Sequence, residues 1–92
     1  MVRPKLWKLI SQYPKVTFYK PQGIPLRNLQ TLELTHEEWE VLRLKYIKNL
    51  DQNSSAQVMQ TSRSTVQRIL SSAQKKIGQA IVQGKAIKIL KN

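Results

Sequence analysis

The longest regular pattern in the chain lies in its second half. Apolar residues recur there at intervals of three and four, the spacing that keeps side chains on one face of an α-helix. Ser62 stands before this stretch as an N-cap, and Gln83-Gly84 ends it. The pattern predicts one long amphipathic helix over residues 63–82. Its inward face consists of Val66, Ile69, Leu70, Ala73, Ile77, Ala80 and Ile81.

A shorter helix is predicted ahead of it, beginning at Thr35. The segment Thr35-His36-Glu37-Glu38 has the form of a capping box, in which the hydroxyl of the first residue and the carboxylate of the fourth each bond the other's amide. Asn49 marks its end. The residues at helical spacing that we expect to face the core are Trp39, Leu42, Tyr46 and Ile47.

Another short helix is predicted over Gln52–Met59, with Asp51 as its N-cap. Ala56 and Met59 mark its inner face, with Val58 beside them. A tight break at Gln60-Thr61 separates it from the long helix. Its outward residues are polar and uncharged, namely Gln52, Asn53, Ser54, Ser55 and Gln57.

The remaining segments predict a small β element and a basic arm. Residues 1–15 are an arm interrupted by prolines, and residues 16–92 form a single domain. Val16–Tyr19 is a short β-prone run, and Pro25 can open a helical turn over Leu26–Gln30. The tail Lys85–Asn92 alternates enough to predict a strand. We expect a mostly α protein with a short β element.

Charge narrows the range of partners. The chain carries 16 Lys and Arg against 5 Asp and Glu, a net charge of +11. Residues 1–34 hold six basic residues and one acidic, residues 35–50 three of each, and residues 51–92 seven and one. Two basic flanks around a neutral middle attract a polyanion, most commonly nucleic acid. A solubilising surface or a ribosome- or membrane-associated protein is the alternative.

The composition of the chain excludes several classes of protein. The chain has no cysteine, which excludes a disulfide framework and a thiolate metal site. No apolar run approaches the length needed to span a membrane, and the apolar residues near the start are too interrupted for a signal peptide. We therefore expect a cytoplasmic protein without membrane contact.

A short helix, a tight turn and a longer capped helix are typical of a helix-turn-helix, here at about residues 51–82. In that motif the second helix enters the major groove of DNA. Many helical bundles contain the same two helices without binding DNA. The candidate DNA-binding residues are Ser62, Arg63, Ser64, Gln67 and Arg68 on the long helix, Lys75 further along it, and Arg3 and Lys5 in the arm.

Catalytic signals are weak. The lone histidine, His36, stands beside Glu37 and Glu38 in a first helical turn, where an exposed helix start is a more common reading than a metal or acid–base site. The three glycines form no phosphate-binding loop, and no serine has a base placed by the sequence pattern. We expect no enzyme activity, no cofactor and no metal. The sequence gives no indication of a small-molecule effector.

Across nearly its whole length the chain resembles uncharacterised protein family 0251 (domain of unknown function 134), whose members are predicted to bind DNA. The residues that carry the resemblance are Arg3-Pro4, residues 16–21, Gly23-Ile24-Pro25-Leu26, Leu34-Thr35, Glu38, Leu42-Arg43-Leu44, Ser62-Arg63-Ser64-Thr65, Arg68-Ile69-Leu70, Ala73, Lys75-Lys76 and Gly84-Lys85-Ala86. The family's C-terminal part is similar to region 4 of sigma-70-type factors, which implies a tetrahelical helix-turn-helix. Gln60 departs from the pattern, because such proteins usually place glycine in that turn.

The function expected from these patterns is sequence-specific DNA binding in transcription regulation. An RNA-binding or ribosome-associated basic module is the alternative, and an adaptor for an acidic protein is a third. A homodimer is expected to assist so small a domain. For the tail strand we keep two arrangements open, pairing with Val16–Tyr19 within one chain or between two copies.

Overall fold

Helix α3 is the element on which the rest of the fold packs. The computed structural model describes residues 13–91. In chain order it contains β1 (Phe18–Tyr19), a 3-10 helix (Leu26–Asn28), β2 (Thr31–Leu34), α1 (His36–Tyr46), α2 (Gln52–Met59), α3 (Arg63–Gln83) and β3 (Ala86–Ile89). The expectation of a mostly α fold with a small β element is confirmed.

All three helices begin where the sequence predicts, because each N-cap accepts a backbone amide. The Thr35 hydroxyl accepts from the Glu38 amide at 3.1 Å, and the Glu38 carboxylate accepts from the Thr35 amide at 2.8 Å. Asp51 accepts from the Ser54 amide at 2.7 Å, and Ser62 from the Thr65 amide at 3.1 Å. These bonds satisfy amides that have no partner within the helix.

Residue Gln60 turns the chain between α2 and α3. Its backbone is left-handed, with φ 55° and ψ 50°. The Gln60 amide donates to Gln57 O at 3.2 Å, and the Thr61 amide donates to Ala56 O at 3.0 Å. This pair of bonds is the Schellman pattern that ordinarily has glycine at the left-handed position. The turn is regular, at the cost of backbone strain in Gln60.

Two hydrophobic clusters fill the interior. The helical cluster joins α1, α2 and the first half of α3, and the sheet cluster joins the second half of α3 to the strands. The buried residues of the helical cluster are Val41, Leu44, Ala56, Met59, Val66 and Leu70. Those of the sheet cluster are Leu34, Ala73 and Ile89, with Trp39, Leu42 and Ile87 packed against them.

The tail strand forms the centre of the sheet. The strand order is β1-β3-β2, with β1 antiparallel and β2 parallel to β3. Phe18 pairs with Lys88, and Thr31 pairs with Ala86. Of the two arrangements left open for the tail, the structure has the one within a single chain. Because β3 is bonded on both sides, it offers no free edge to a second copy. Strand β2 was not predicted.

The inward face of α1 differs from the predicted one. Val41 and Leu44 are buried, whereas Tyr46 and Ile47 are 55% and 71% exposed. The helix packs into the helical cluster through Val41 and Leu44, and this orientation leaves Tyr46 and Ile47 at its end largely open to solvent. The expectation that Tyr46 and Ile47 face the core is therefore wrong. The expectation that Ile81 belongs to the inward face of α3 is also wrong, since Ile81 is 75% exposed where the small sheet leaves the end of that helix largely uncovered.

Two polar residues predicted to be exposed are buried. His36 has no exposed surface, because its ring lies between Tyr13 and Trp39 at centroid distances of 5.0 and 5.7 Å. The expectation of an exposed helix start at His36 is wrong. Ser55, expected on the outer face of α2, is 2% exposed beside Ala56. The small side chain of Ser55 lets α2 lie close to the helices on which it packs.

Candidate nucleic-acid interface

The first turns of α3 present a row of polar side chains. Arg63, Ser64, Gln67 and Arg68 are all exposed, while Val66 on the opposite face is 1% exposed. Burial of the apolar stripe fixes the rotation of the helix and turns this row outward. Lys75 is exposed further along the helix. The predicted candidates Arg3 and Lys5 lie outside the described residues.

Ser62 organises the beginning of the row. Its hydroxyl accepts from the Thr65 amide and lies 3.1 Å from Ser64 Oγ and 2.8 Å from Thr65 Oγ1. Arg68 Nη2 donates to Thr65 Oγ1 at 3.4 Å. The Ser62 hydroxyl is thus engaged in the cap. An anion at this helix end would meet the free backbone amides and the positive end of the helix dipole.

A cleft opens between α2 and this row. It has a volume of about 510 Å³ and is lined by Gln52, Arg63, Ser64 and Gln67. Across it, Gln52 Nε2 donates a hydrogen bond to Gln67 Oε1. Gln52 is predicted on the outer face of α2 but is not among the predicted DNA-binding residues. The sequence places it directly after the Asp51 cap, at the end of α2 beside the row, and this position is the signal that could have identified it.

The local charge is positive. Asp51 is the single acidic residue among residues 51–92, against seven Lys and Arg. Hydrogen bonds from the Ser54 amide and side chain lower the pKa of the Asp51 carboxyl, and the charge of Arg63 lowers it further. This carboxylate is held in the cap of α2. A polyanion approaching the row would therefore meet little repulsion.

A polar network fixes the middle of α3 against α1 and β2. Lys76 Nζ donates to Glu38 Oε1 at 2.9 Å and to Glu33 O at 2.7 Å, and Ser72 Oγ donates to Glu38 Oε2 at 2.5 Å. Burial by itself would raise the pKa of the Glu38 carboxyl, but the bonds from Ser72, Thr35 and Lys76 outweigh it and lower the pKa. The network holds the long helix at a fixed position along its axis.

A second surface, between α1 and the later part of α3, is apolar. This groove has a volume of about 600 Å³, and its lining includes Trp39, Leu42, Tyr46 and Ile77. Gln74 Nε2 donates to Tyr46 Oη at 2.7 Å across it. Within residues 13–91 no group of three His, Asp or Glu side chains could hold a metal ion. None of the helices among these residues combines the length and the apolar character that a membrane-spanning segment needs.

Known sequences decide the family. The profile described as "Protein of unknown function DUF134" matches residues 1–92. The chain belongs to this family. It is similar to a UPF0251 protein of Caldanaerobacter subterraneus subsp. tengcongensis, 46% identical over 97% of this chain and 75% of the relative. A UPF0251 protein of Dehalococcoides mccartyi is 47% identical over 97% of this chain and 76% of the relative.

Similarity extends to other bacteria. A UPF0251 protein of Thermoanaerobacter pseudethanolicus is 42% identical over 97% of this chain and 75% of its own length. No solved structure matches the chain significantly. The resemblance drawn from the sequence motifs is confirmed at the level of the family.

Proposed function

We propose that this protein is a sequence-specific DNA-binding protein, acting as a transcriptional regulator rather than as an enzyme. In this proposal α2 and α3 form a helix-turn-helix of the sigma region 4 type, and the beginning of α3 enters the major groove. The observation that carries it is the exposed row Arg63, Ser64, Gln67 and Arg68 at the capped start of α3, beside α2.

The side chains of the row suit base edges. Arginine bonds guanine through two donors, glutamine bonds adenine through an acceptor and a donor, and serine bonds several partners. These residues lie at positions i, i+1, i+4 and i+5 of one helix, so they can reach neighbouring base pairs. Phosphates would be held by Lys75 and by the amides at the start of α3.

The exposed polar surface of α2 supports the same orientation. Asn53 and Gln57 are exposed and uncharged, and they lie on the helix that would cross the DNA backbone. In a helical bundle without a polyanionic partner, such surfaces usually mix acidic and basic residues. Residues 52–92 contain no acidic residue at all, which favours a polyanion over a neutral partner surface.

Selection of duplexes from a random-sequence library tests the proposal. We expect one sequence to be enriched, with binding that weakens steeply as salt increases, because counterions are released for each phosphate neutralised. Arg63→Ala and Arg68→Ala should each weaken binding to the selected site by about 1–3 kcal/mol where the residue makes a paired base contact. Arg27→Ala is the matched control, since it removes the same charge from the 3-10 helix.

The outcomes separate the alternatives. If both α3 variants bind the selected site as tightly as the parent, α3 is not the helix that contacts the bases. Tighter binding to RNA than to any duplex, with no enriched DNA sequence, would favour the RNA-binding or ribosome-associated module. Binding of neither nucleic acid would leave the adaptor for an acidic protein.

A further inference from the structure

The hydrogen bond between Gln52 and Gln67 joins the two helices at the mouth of the cleft. Gln52 is the first residue of α2, and Gln67 lies in the second turn of α3. Gln52 Nε2 donates to Gln67 Oε1, and Gln67 Nε2 donates to Ser71 Oγ at 3.4 Å. The amide of Gln67 therefore has a partner on each side.

This bond contributes little to stability. A bond between neutral groups at an exposed site adds only a small net free energy to folding, because water offers both groups equivalent partners in the unfolded chain. Ordering two glutamine side chains costs an amount of the same size. The two contributions nearly cancel, so the bond is better explained by what it does to the orientation of Gln67.

The bond fixes which edge of the Gln67 amide faces outward. A free glutamine amide can rotate and exchange its oxygen with its NH₂ group. Here the oxygen is held toward Gln52 and the NH₂ group toward Ser71. An amide oxygen has two lone pairs and an amide nitrogen two hydrogens. One acceptor site and one donor site therefore stay available on Gln67.

One acceptor beside one donor is the combination that adenine requires. In the major groove adenine offers the N6 amino group as donor and N7 as acceptor, whereas guanine offers two acceptors. Resting on the proposed DNA-binding function, we propose that Gln52 is a positioning residue that holds Gln67 ready to select adenine. Gln67 makes the base contact, and Gln52 acts through it.

The test compares base preferences rather than affinity alone. Duplex selection is carried out with the parent, Gln67→Ala, Gln52→Ala and the matched control Gln22→Ala, which removes the same side chain at an exposed turn outside α2 and α3. The parent site should contain an adenine preferred by about 5- to 150-fold over guanine, the range for a paired base contact. Gln67→Ala should abolish that preference.

Gln52→Ala should reduce the preference at the same position by about 2- to 10-fold, which corresponds to the cost of ordering one free side chain on binding. Other positions of the site should be unchanged. The double variant should lose no more than Gln67→Ala, because the two residues act in one interaction. Gln22→Ala should keep the parent preference throughout.

Two further variants separate hydrogen bonding from charge. Gln52→Lys still donates to Gln67 Oε1, so it should keep the adenine preference while binding all duplexes more tightly. Gln52→Glu removes the donor and should lose the preference. Thermal unfolding of Gln52→Ala should match that of Gln22→Ala.

Different results of the duplex selection would contradict the DNA-binding function and the role of Gln52. If no duplex sequence is enriched by the parent, the DNA-binding function is wrong and this inference falls with it. If a sequence is enriched but Gln52→Ala leaves every base preference unchanged, the inference is wrong and the function stands. A uniform loss at all positions together with a lowered melting temperature would make Gln52 a structural residue and would also overturn it.

Discussion

The two halves of α3 pack on different parts of the fold and expose different surfaces. The first half packs on α1 and α2 through the helical cluster, whose six buried residues come from a stretch of 30 positions, 41–70. The second half packs on the sheet cluster, whose three buried residues, Leu34, Ala73 and Ile89, are far apart in the sequence. The first half has a polar exposed face, whereas the second leaves Ile81 and Val82 75% and 84% exposed.

This difference shows how one helix can combine rigidity with binding. Polar side chains are aimed reliably only if the helix behind them is held on its other face. The helical cluster supplies that support with completely buried residues such as Met59 and Val66. The sheet cluster contributes less burial, and it ties the far end of the same helix to the strands.

Removal of a core side chain should have the largest effect and should rank the two halves. Met59 is completely buried, so Met59→Ala should lower the free energy of unfolding by about 2–5 kcal/mol in urea titrations. Leu34→Ala should cost less, because the thinner sheet cluster can relax into the space. Val58→Ala, at a half-exposed neighbour of Met59, is the control. An equal or greater loss for Leu34→Ala would reverse the ranking.

The Glu38 network lies where the two halves meet, and it should make stability depend on pH. The pKa of Glu38 in the folded protein lies below its ordinary value of 4.5. The unfolded chain therefore binds the proton first as the pH falls. The free energy of unfolding should be highest above about pH 5 and should decrease as the pH drops through the folded pKa.

Glu38→Gln tests this origin. It should cost about 1.5–3 kcal/mol at neutral pH, the range for hydrogen bonds to charged groups. It should also flatten the dependence on pH in the acidic range. The comparison variant Glu37→Gln changes a neighbouring carboxylate outside the Ser72–Lys76 network. A slope that is unchanged in Glu38→Gln would assign the pH dependence to other groups.

The turn between α2 and α3 offers a smaller, stabilising change. Gln60 has φ 55°, a conformation that costs an L-residue about 1–2 kcal/mol and glycine almost nothing. Glycine gives back part of that gain through the greater entropy of its unfolded chain. Gln60→Gly should therefore raise the free energy of unfolding by about 0.5–1 kcal/mol.

A matched change inside α2 checks the cause. Gln57→Gly places glycine at an exposed right-handed position of the same helix and should destabilise by about 1 kcal/mol. Opposite signs for the two variants in thermal and urea unfolding would establish backbone conformation as the reason. Destabilisation by both would show that the Gln60 side chain contributes contacts worth more than its strain.

The smallest effect is expected on the exposed apolar surface of the second half. Replacing Ile81 and Val82 by serine should change the free energy of unfolding by about 0.5 kcal/mol or less, since both are mostly exposed. The homodimer stays a prediction, and β3 is not its interface. Light scattering of parent and double variant at several concentrations gives the mass, 10.7 kDa for a monomer. A parent mass near twice that value, reduced by the double change, would place the contact on this part of α3.

The sequence predicted the local features of the fold better than the long-range ones. Caps and turns are decided by residues a few positions apart, and Thr35, Asp51, Ser62 and Gly84 all act where the pattern predicted. The exposed row of α3 was predictable from the apolar stripe on the opposite face of the helix. Each of these depends on contacts within about one helical turn, which a single sequence displays directly.

Long-range contacts were not predictable in the same way. Strand β2 is four residues long, and its partner β3 lies more than 50 positions later in the chain. Burial of His36 depends on Tyr13, which lies far from it in the sequence and stacks on its ring at a centroid distance of 5.0 Å. The Gln52–Gln67 bond requires the angle between two helices. None of these has a local signature.

The sheet order β1-β3-β2 has a consequence for how the chain is made. Ribosomes deliver the N-terminal part first, so all three helices are complete before β3 emerges. Until then β1 and β2 have no shared neighbour, and their backbone groups are open to other nascent chains. A translation stop after Leu70 and ahead of Ala86 would release a product with all residues of the helical cluster and two unpaired strands, which chaperones and proteases would recognise.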